Sequence, residues 1–281
     1  MRGRGLTAWL LVAVMLPRVA SGAFERDWAD ARSAALFGPG SWAASSCTYL
    51  TLSRAARGRR DEPGGDRSDD VRWALRCDAG ELFGLHCLRT GGVSVERIGR
   101  RTRIGFAARQ LGGRPAAERT AVAVFGWRLS EEGSACLRAR GLDFEAAGYA
   151  PEVACVVDAS VWHRLLGSLT GRATVTNLFA SSVAGARVPQ SMDLGLDIAF
   201  KDALVTAGSR LEPGFDASLH VGVEIRSPFL RLRAGAQTTP DLLALGLGLG
   251  RSHGPVPCLD VALQWHPLLG GSVLASLSWS F

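Results

Sequence analysis

The sequence predicts an all-β chain, an antiparallel transmembrane β-barrel of about 14 strands (12–16) with a short N-terminal plug or hatch-like segment. Three observations carry that expectation. The last third of the chain consists of alternating runs that end in Phe281. The composition is apolar but contains no later segment long enough for a membrane helix. The first residues read as an export signal.

The export signal comes first. Arg2 and Arg4 supply a positive start, residues 6–16 an apolar core, and Ala20-Ser21-Gly22-Ala23 a small-residue cleavage site. Such a core is too short to span a bilayer as a stable helix. Residues 1–23 are therefore expected to be a cleaved signal peptide, 24–46 a hatch-like segment, and 47–281 the barrel. Removing Arg2, Arg4 and Arg18 lowers the formal charge from +6 to +3. No basic stripe with interleaved aromatics appears, so nucleic acid is not an expected partner.

The composition is 47% hydrophobic and the mean hydropathy is +0.12. No stretch after the signal approaches the 18 or so apolar residues of a membrane helix. A closed barrel is the other way to satisfy every backbone group in lipid. The expected location is the bacterial outer membrane, with membrane lipid and the barrel-assembly machinery as partners.

The strands are clearest at the end. Val273, Ala275, Leu277, Trp279 and Phe281 share one face, and Ser272, Ser276, Ser278 and Ser280 the other, with Leu274 the exception. Only a strand puts alternate residues on opposite faces. This outward row ending in Phe281 is the expected barrel-assembly signal. The same alternation runs through 258–266, 243–249, 230–235, 220–226 and 192–200. Runs of about nine to eleven residues suit a tilted membrane strand. Noisier strands are expected at 48–53, 71–77, 82–88, 92–98, 103–110, 120–129, 135–144, 153–162 and 169–177. Residues 54–70 (RAARGRRDEPGGDRSDD) read as a charged surface loop. Trp127, Trp162, Trp265 and Trp279 suit the membrane interfaces.

Inward alternation nominates His220, Glu224, Arg226, Arg231, Arg233, Asp260, Gln264 and His266 as lumen residues. Charges in such a place pair across strands, and Glu224 with Arg233 is the expected ion pair. A hydrolase is not expected. His220 and Glu224 stand about 13 Å apart along a strand, and no nucleophile motif accompanies them. The six cysteines lack metal-ligand spacing, so neither metal nor cofactor is expected.

The segments VGVEIRSPFLRLRAG, LLALGLGLG and CLDVALQWHPLLGGSVLASLSWSF resemble the C-terminal region of the PorV/PorQ group of outer-membrane barrels, which is related to FadL-type transporters. The matching residues are Gly222, Glu224, Arg233, Ala234, Gly235, Gly246, Gly248, Asp260, His266, Leu269, Gly270 and Phe281. Residues 171–200 and 31–36 are similar to further pieces of that group. The usual Asp-rich stretch and Asn-Pro-Ala motif are absent, and 38–46 (GPGSWAASS) stands in their place. The resemblance implies passage of a hydrophobic small molecule such as a long-chain fatty acid. It equally allows a barrel that binds exported proteins during secretion or surface assembly, or a plugged structural barrel.

Overall fold

The computed structural model describes residues 34–35, 72–113, 116–148, 150–183, 186–250 and 257–281. The signal peptide, the 54–70 loop, the expected strand at 48–53 and all of the hatch-like segment but Ala34 and Ala35 lie outside the described residues.

Sixteen strands follow in order: β1 Arg72–Leu82, β2 Leu85–Ile98, β3 Thr102–Gly113, β4 Ala116–Arg128, β5 Gly133–Ala146, β6 Glu152–Leu166, β7 Leu169–Thr176, β8 Ser182–Val183, β9 Ala186–Arg187, β10 Ser191–Ala199, β11 Ala203–Leu211, β12 Ser218–Arg226, β13 Leu230–Gln237, β14 Leu242–Leu249, β15 Cys258–His266 and β16 Gly270–Ser280. All but β8 and β9 form one closed antiparallel barrel. Closure is made by β1 against β16, from Ala74 opposite Ser280 to Glu81 opposite Val273. Trp73 and Phe281 finish the seam by exchanging backbone bonds of 2.8 and 3.0 Å. A closed ladder leaves no strand edge to be satisfied by lipid.

Alternation decides which side chains meet lipid. Along β14, Leu243, Leu245, Leu247 and Leu249 are exposed on the outer face, while Ala244 and Gly248 are buried toward the interior. In β16 the outward row is Val273, Leu277, Trp279 and Phe281, all exposed, with half-buried Ala275 among them. Leu274 faces inward and is 4% exposed. Its break in the alternation has a structural reason, given below.

Three sequence expectations need correction. The separate strands expected at 82–88 and 92–98 are one strand, β2, and the chain reverses at Phe83-Gly84 instead. Both residues there have positive φ, 53° and 66°, the geometry of a two-residue hairpin turn. Gly91-Gly92 resembles a break but stays extended. β11 went unread because its outward row includes Ala203, Ala207 and Ser209, while the large Leu204 faces inward, 5% exposed. Trp162 is not an interfacial anchor. It falls on the inward parity of β6, is fully buried, and packs with Val124 and Cys136.

β1 to β6 run 11 to 15 residues, whereas the barrel strands from β7 onward run 8 to 11. The wall is therefore taller on one side. Where β7 stops, the chain leaves the wall and makes the small β8–β9 hairpin before returning as β10. The rim that carries both Trp73 and Phe281 is called the terminal rim below.

Candidate functional site: the barrel interior

The interior is organised by arginine–carboxylate pairs, and alternation puts them there. On β12 and β13, Glu224 and Arg233 are register partners, with Arg233 Nε donating to Glu224 Oε2 at 2.6 Å. The other carboxylate oxygen of Glu224 accepts from Arg226 Nε at 2.5 Å. Arg233 Nη1 also reaches across β14 to Asp260 Oδ1 on β15, at 2.6 Å. Arg231 lies beside Asp260 and contacts Cys258. Glu224 is fully buried and Arg233 is 3% exposed. Desolvation of each charge is offset only because its partners are in place.

A second cluster centres on Arg172 of β7. It donates to Asp197 and, at 2.9 Å, to Thr206 Oγ1. Its Nη2 lies 3.0 Å from His220 Nε2, although β10 and β11 separate the two strands. The bridging is possible because the intervening rung positions are Gly195 and Gly208. A Cβ on Gly195 would stand 2.5 Å from the Arg172 guanidinium, and one on Gly208 would stand 2.6 Å from His220 Nε2.

The same device recurs twice. Gly92 lies between Asp78 and Arg109, which meet at 3.4 Å. Gly248 lies between Arg231 and Asp260. A Cβ there would come within 2.4 Å of Asp260 Oδ1. Glycine inside these strands is a flat saddle that lets long charged side chains lie along the wall.

A third cluster is built on Asp158 of β6. Its Oδ2 accepts from Arg138 Nε at 2.5 Å and Arg140 Nε at 2.9 Å. Its Oδ1 accepts the backbone N–H of Asn177 at 2.8 Å. Asn177 is itself fully buried and ties down the β8–β9 excursion, donating to Val188 O at 2.7 Å and accepting from Ser181 N at 2.9 Å. Glu96 and Arg103 form a further buried pair.

Apolar patches interrupt this polar lattice. Trp162, Val124 and Cys136 form one, with Ala107 and Val122 against it. Leu274 and Ala262 form another, and the N-terminal Ala34 and Ala35 pack on it. Gln264 Nε2 donates to Ala34 O at 3.0 Å, and Gly246 provides the room for Ala35, whose Cβ would lie 2.5 Å from a Cβ at 246. That contact explains why Leu274 faces inward. Leu82, Val156, Leu242 and Ala244 add further buried apolar positions on the inner wall. On the lipid side, a recess of about 410 Å³ lies over the small Ala236, between Leu219 and Val221 on one flank and Leu243 and Trp265 on the other.

The eight residues nominated from sequence all lie on the inward face of their strands. Glu224, Arg226, Arg231, Arg233 and Asp260 come together. His220 belongs instead to the Arg172 cluster, and Gln264 holds Ala34. His266 caps the last turn, its Nδ1 accepting from Leu268 N and Leu269 N, both at 3.1 Å. Arg138, Arg140, Asp158 and Arg172 were missed. Their signal was present, since Arg138 and Arg140 alternate with Leu137, Ala139 and Gly141. Among the described residues no group of side chains is arranged to hold a metal ion, and none of the five described cysteines is in a disulfide.

No protein-family model matches this sequence, and no curated protein matches it. Solved structures do match. The CymD monoaromatic hydrocarbon channel superposes with a TM-score of 0.59 at 12% identity, over 92% of this chain and 98% of that one. The toluene transporter TodX of Pseudomonas putida gives 0.57 at 12% identity, over 92% and 99%. At such identity the likeness is one of fold. By its fold, then, this chain is a closed antiparallel β-barrel of 14 strands, in the architecture of those two channels.

Proposed function

We propose that the barrel passes a small hydrophobic molecule across the outer membrane. The observation that carries this reading is the set of apolar patches on the inner wall. Trp162 with Val124, and Leu274 with Ala262, are set into a surface otherwise lined by hydroxyls and paired charges. In the structure these side chains are almost fully covered, Leu274 and Ala262 by Ala34 and Ala35. A passing apolar compound would take the place of the Ala34–Ala35 cover on Leu274 and Ala262, keeping from water a surface worth about 25 cal/mol per Å². The fold shared with a hydrocarbon channel and a toluene transporter supports the same reading.

In this reading the terminal rim faces the periplasm, and Ala34 and Ala35 stand at the patch under Leu274. The long-chain fatty acid class and the PorV/PorQ relationship remain part of the proposal. The test is uptake of radiolabelled toluene and of a long-chain fatty acid by a host lacking such channels, with and without this chain. Faster entry of at least one compound is expected, and Leu274→Glu is expected to slow it. Equal uptake of both compounds with and without the chain would remove the reading.

A further inference from the structure

One stretch of the inner wall holds hydrogen-bonding atoms that no protein group satisfies. An inward rung there runs from Cys136 on β5 through Ser160 on β6, Thr174 on β7 and Asp193 on β10 to Arg210 on β11. Thr174 is 4% exposed and Asp193 8%. Thr174 Oγ1, Asp193 Oδ1 and Arg210 Nε are shut off from solvent without a hydrogen-bond partner, and so is Arg172 Nε on the next inward rung. Arg172 Nε and Asp193 Oδ1 lie 3.9 Å apart, close enough to attract as charges and too far to bond. The other nitrogens of the Arg172 guanidinium are engaged by Asp197, Thr206 and His220.

Buried polar atoms are matched in most folded proteins, so a group of unmatched ones points to a partner that comes from outside. The set defines what that partner must be. Asp193 Oδ1 only accepts, the two arginine Nε–H groups only donate, and the Thr174 hydroxyl does either. Because acceptor and donor stand 3.9 Å apart, a single atom about 2.8 Å from each can satisfy both. At the other end of the rung, Cys136 belongs to the apolar patch of Trp162 and Val124. Cys136 and Asp193 are three strand spacings apart, about 14 Å along the wall. Arg210 is only half-buried, and its side is the approach to the unmatched group.

We propose that the molecule passed by this barrel is an alcohol or a phenol on an apolar body, and that this rung selects it by its hydroxyl. The inference rests on the passage of a hydrophobic compound proposed above and names its class. The hydroxyl donates to Asp193 Oδ1 and accepts from Arg172 Nε or Arg210 Nε, with Thr174 Oγ1 beside it, while the body lies toward Trp162. A hydrocarbon leaves every one of these atoms unmatched. A carboxylate brings a second negative charge against Asp193, and an ammonium group meets two guanidinium groups and cannot accept from either. One hydrogen bond gained or lost here is worth about tenfold in preference.

The experiment compares uptake of radiolabelled 4-octylphenol, octylbenzene and 4-octylbenzoate near neutral pH, where the phenol is neutral and the benzoate charged, by a host lacking such channels, with and without the full-length chain. Chain-dependent entry of 4-octylphenol about tenfold faster than octylbenzene is expected, with 4-octylbenzoate slowest. Asp193→Asn removes the opposing charge and should raise 4-octylbenzoate entry several-fold, a gain that a misfolded barrel does not produce. Thr174→Val should lower the advantage of the phenol. Octylbenzene entering as fast as 4-octylphenol, or 4-octylbenzoate entering fastest, would overturn the inference and leave passage of a hydrophobic compound standing. So would Asp193→Asn that still passes 4-octylphenol with no gain for 4-octylbenzoate. No chain-dependent entry of any of the three would remove the reading on which the inference rests, and the inference with it.

Discussion

Glu224→Gln is the most informative single change. The carboxylate is fully buried, with one oxygen 2.5 Å from Arg226 Nε and the other 2.6 Å from Arg233 Nε. Glutamine keeps the shape and one acceptor, but its amide nitrogen is a donor facing another donor. Arg233 then keeps Asp260 as its carboxylate partner. Removing one member of a buried pair costs about 3–5 kcal/mol, most of it the penalty of the charge left behind. The assay is urea unfolding of the barrel in phospholipid vesicles, followed by tryptophan fluorescence. Arg233→Gln should cost a similar amount, and the double variant should cost less than the sum by about 1–3 kcal/mol, since the two changes share one interaction. A single variant within about 0.5 kcal/mol of the parent, or strict additivity, would refute the claim that this pair is held as a desolvated unit.

Other consequences are equally open to measurement. Leu245→Arg, at the middle of the lipid-facing row of β14, should destabilise by about 2–4 kcal/mol, while Ala244→Ser on the opposite face of that strand should cost far less; the same unfolding assay compares them. Gly195→Val should lift Arg172 off the wall and weaken its contacts to Asp197 and His220, lowering stability by about 1–3 kcal/mol in that assay. Gly246→Val should displace Ala35, so a thiol placed by Ala34→Cys should label faster with a water-soluble maleimide than it does in the Gly246 parent. Deleting Phe281 removes two backbone bonds of the seam, and a fall in heat-modifiable, folded protein in the outer membrane is the expected result.

Much of the barrel was readable because lipid and lumen impose opposite polarity on alternate residues. Where the outward row is uniformly large, as from Leu243 to Leu249 or Val273 to Phe281, two-residue periodicity suffices. β11 escaped because Ala203, Ala207 and Ser209 interrupt Val205 and Leu211 along its lipid face. β2 was split because its interior glycine serves a side-chain contact from β1 to β3, which no local pattern announces. Glu224 with Arg233 was anticipated as a neighbouring pair because one short turn joins their strands. Arg172 with His220 was not, because that contact spans two intervening strands and depends on the register of all four. Trp162 misled for a related reason: tryptophan suits an interface, but parity along β6 outranks residue preference and turns it inward.

The barrel is one wall with two faces, and β16 tests that most directly. Nitroxide labels at single cysteines from 272 to 279, in a background lacking the native cysteines, report contact with lipid-dissolved oxygen or with a water-soluble nickel chelate. The structure predicts strict alternation. Labels at 273, 275, 277 and 279 should favour oxygen, and those at 272, 274, 276 and 278 should not. A helical period, or uniform access to the chelate along the segment, would contradict a membrane-spanning barrel.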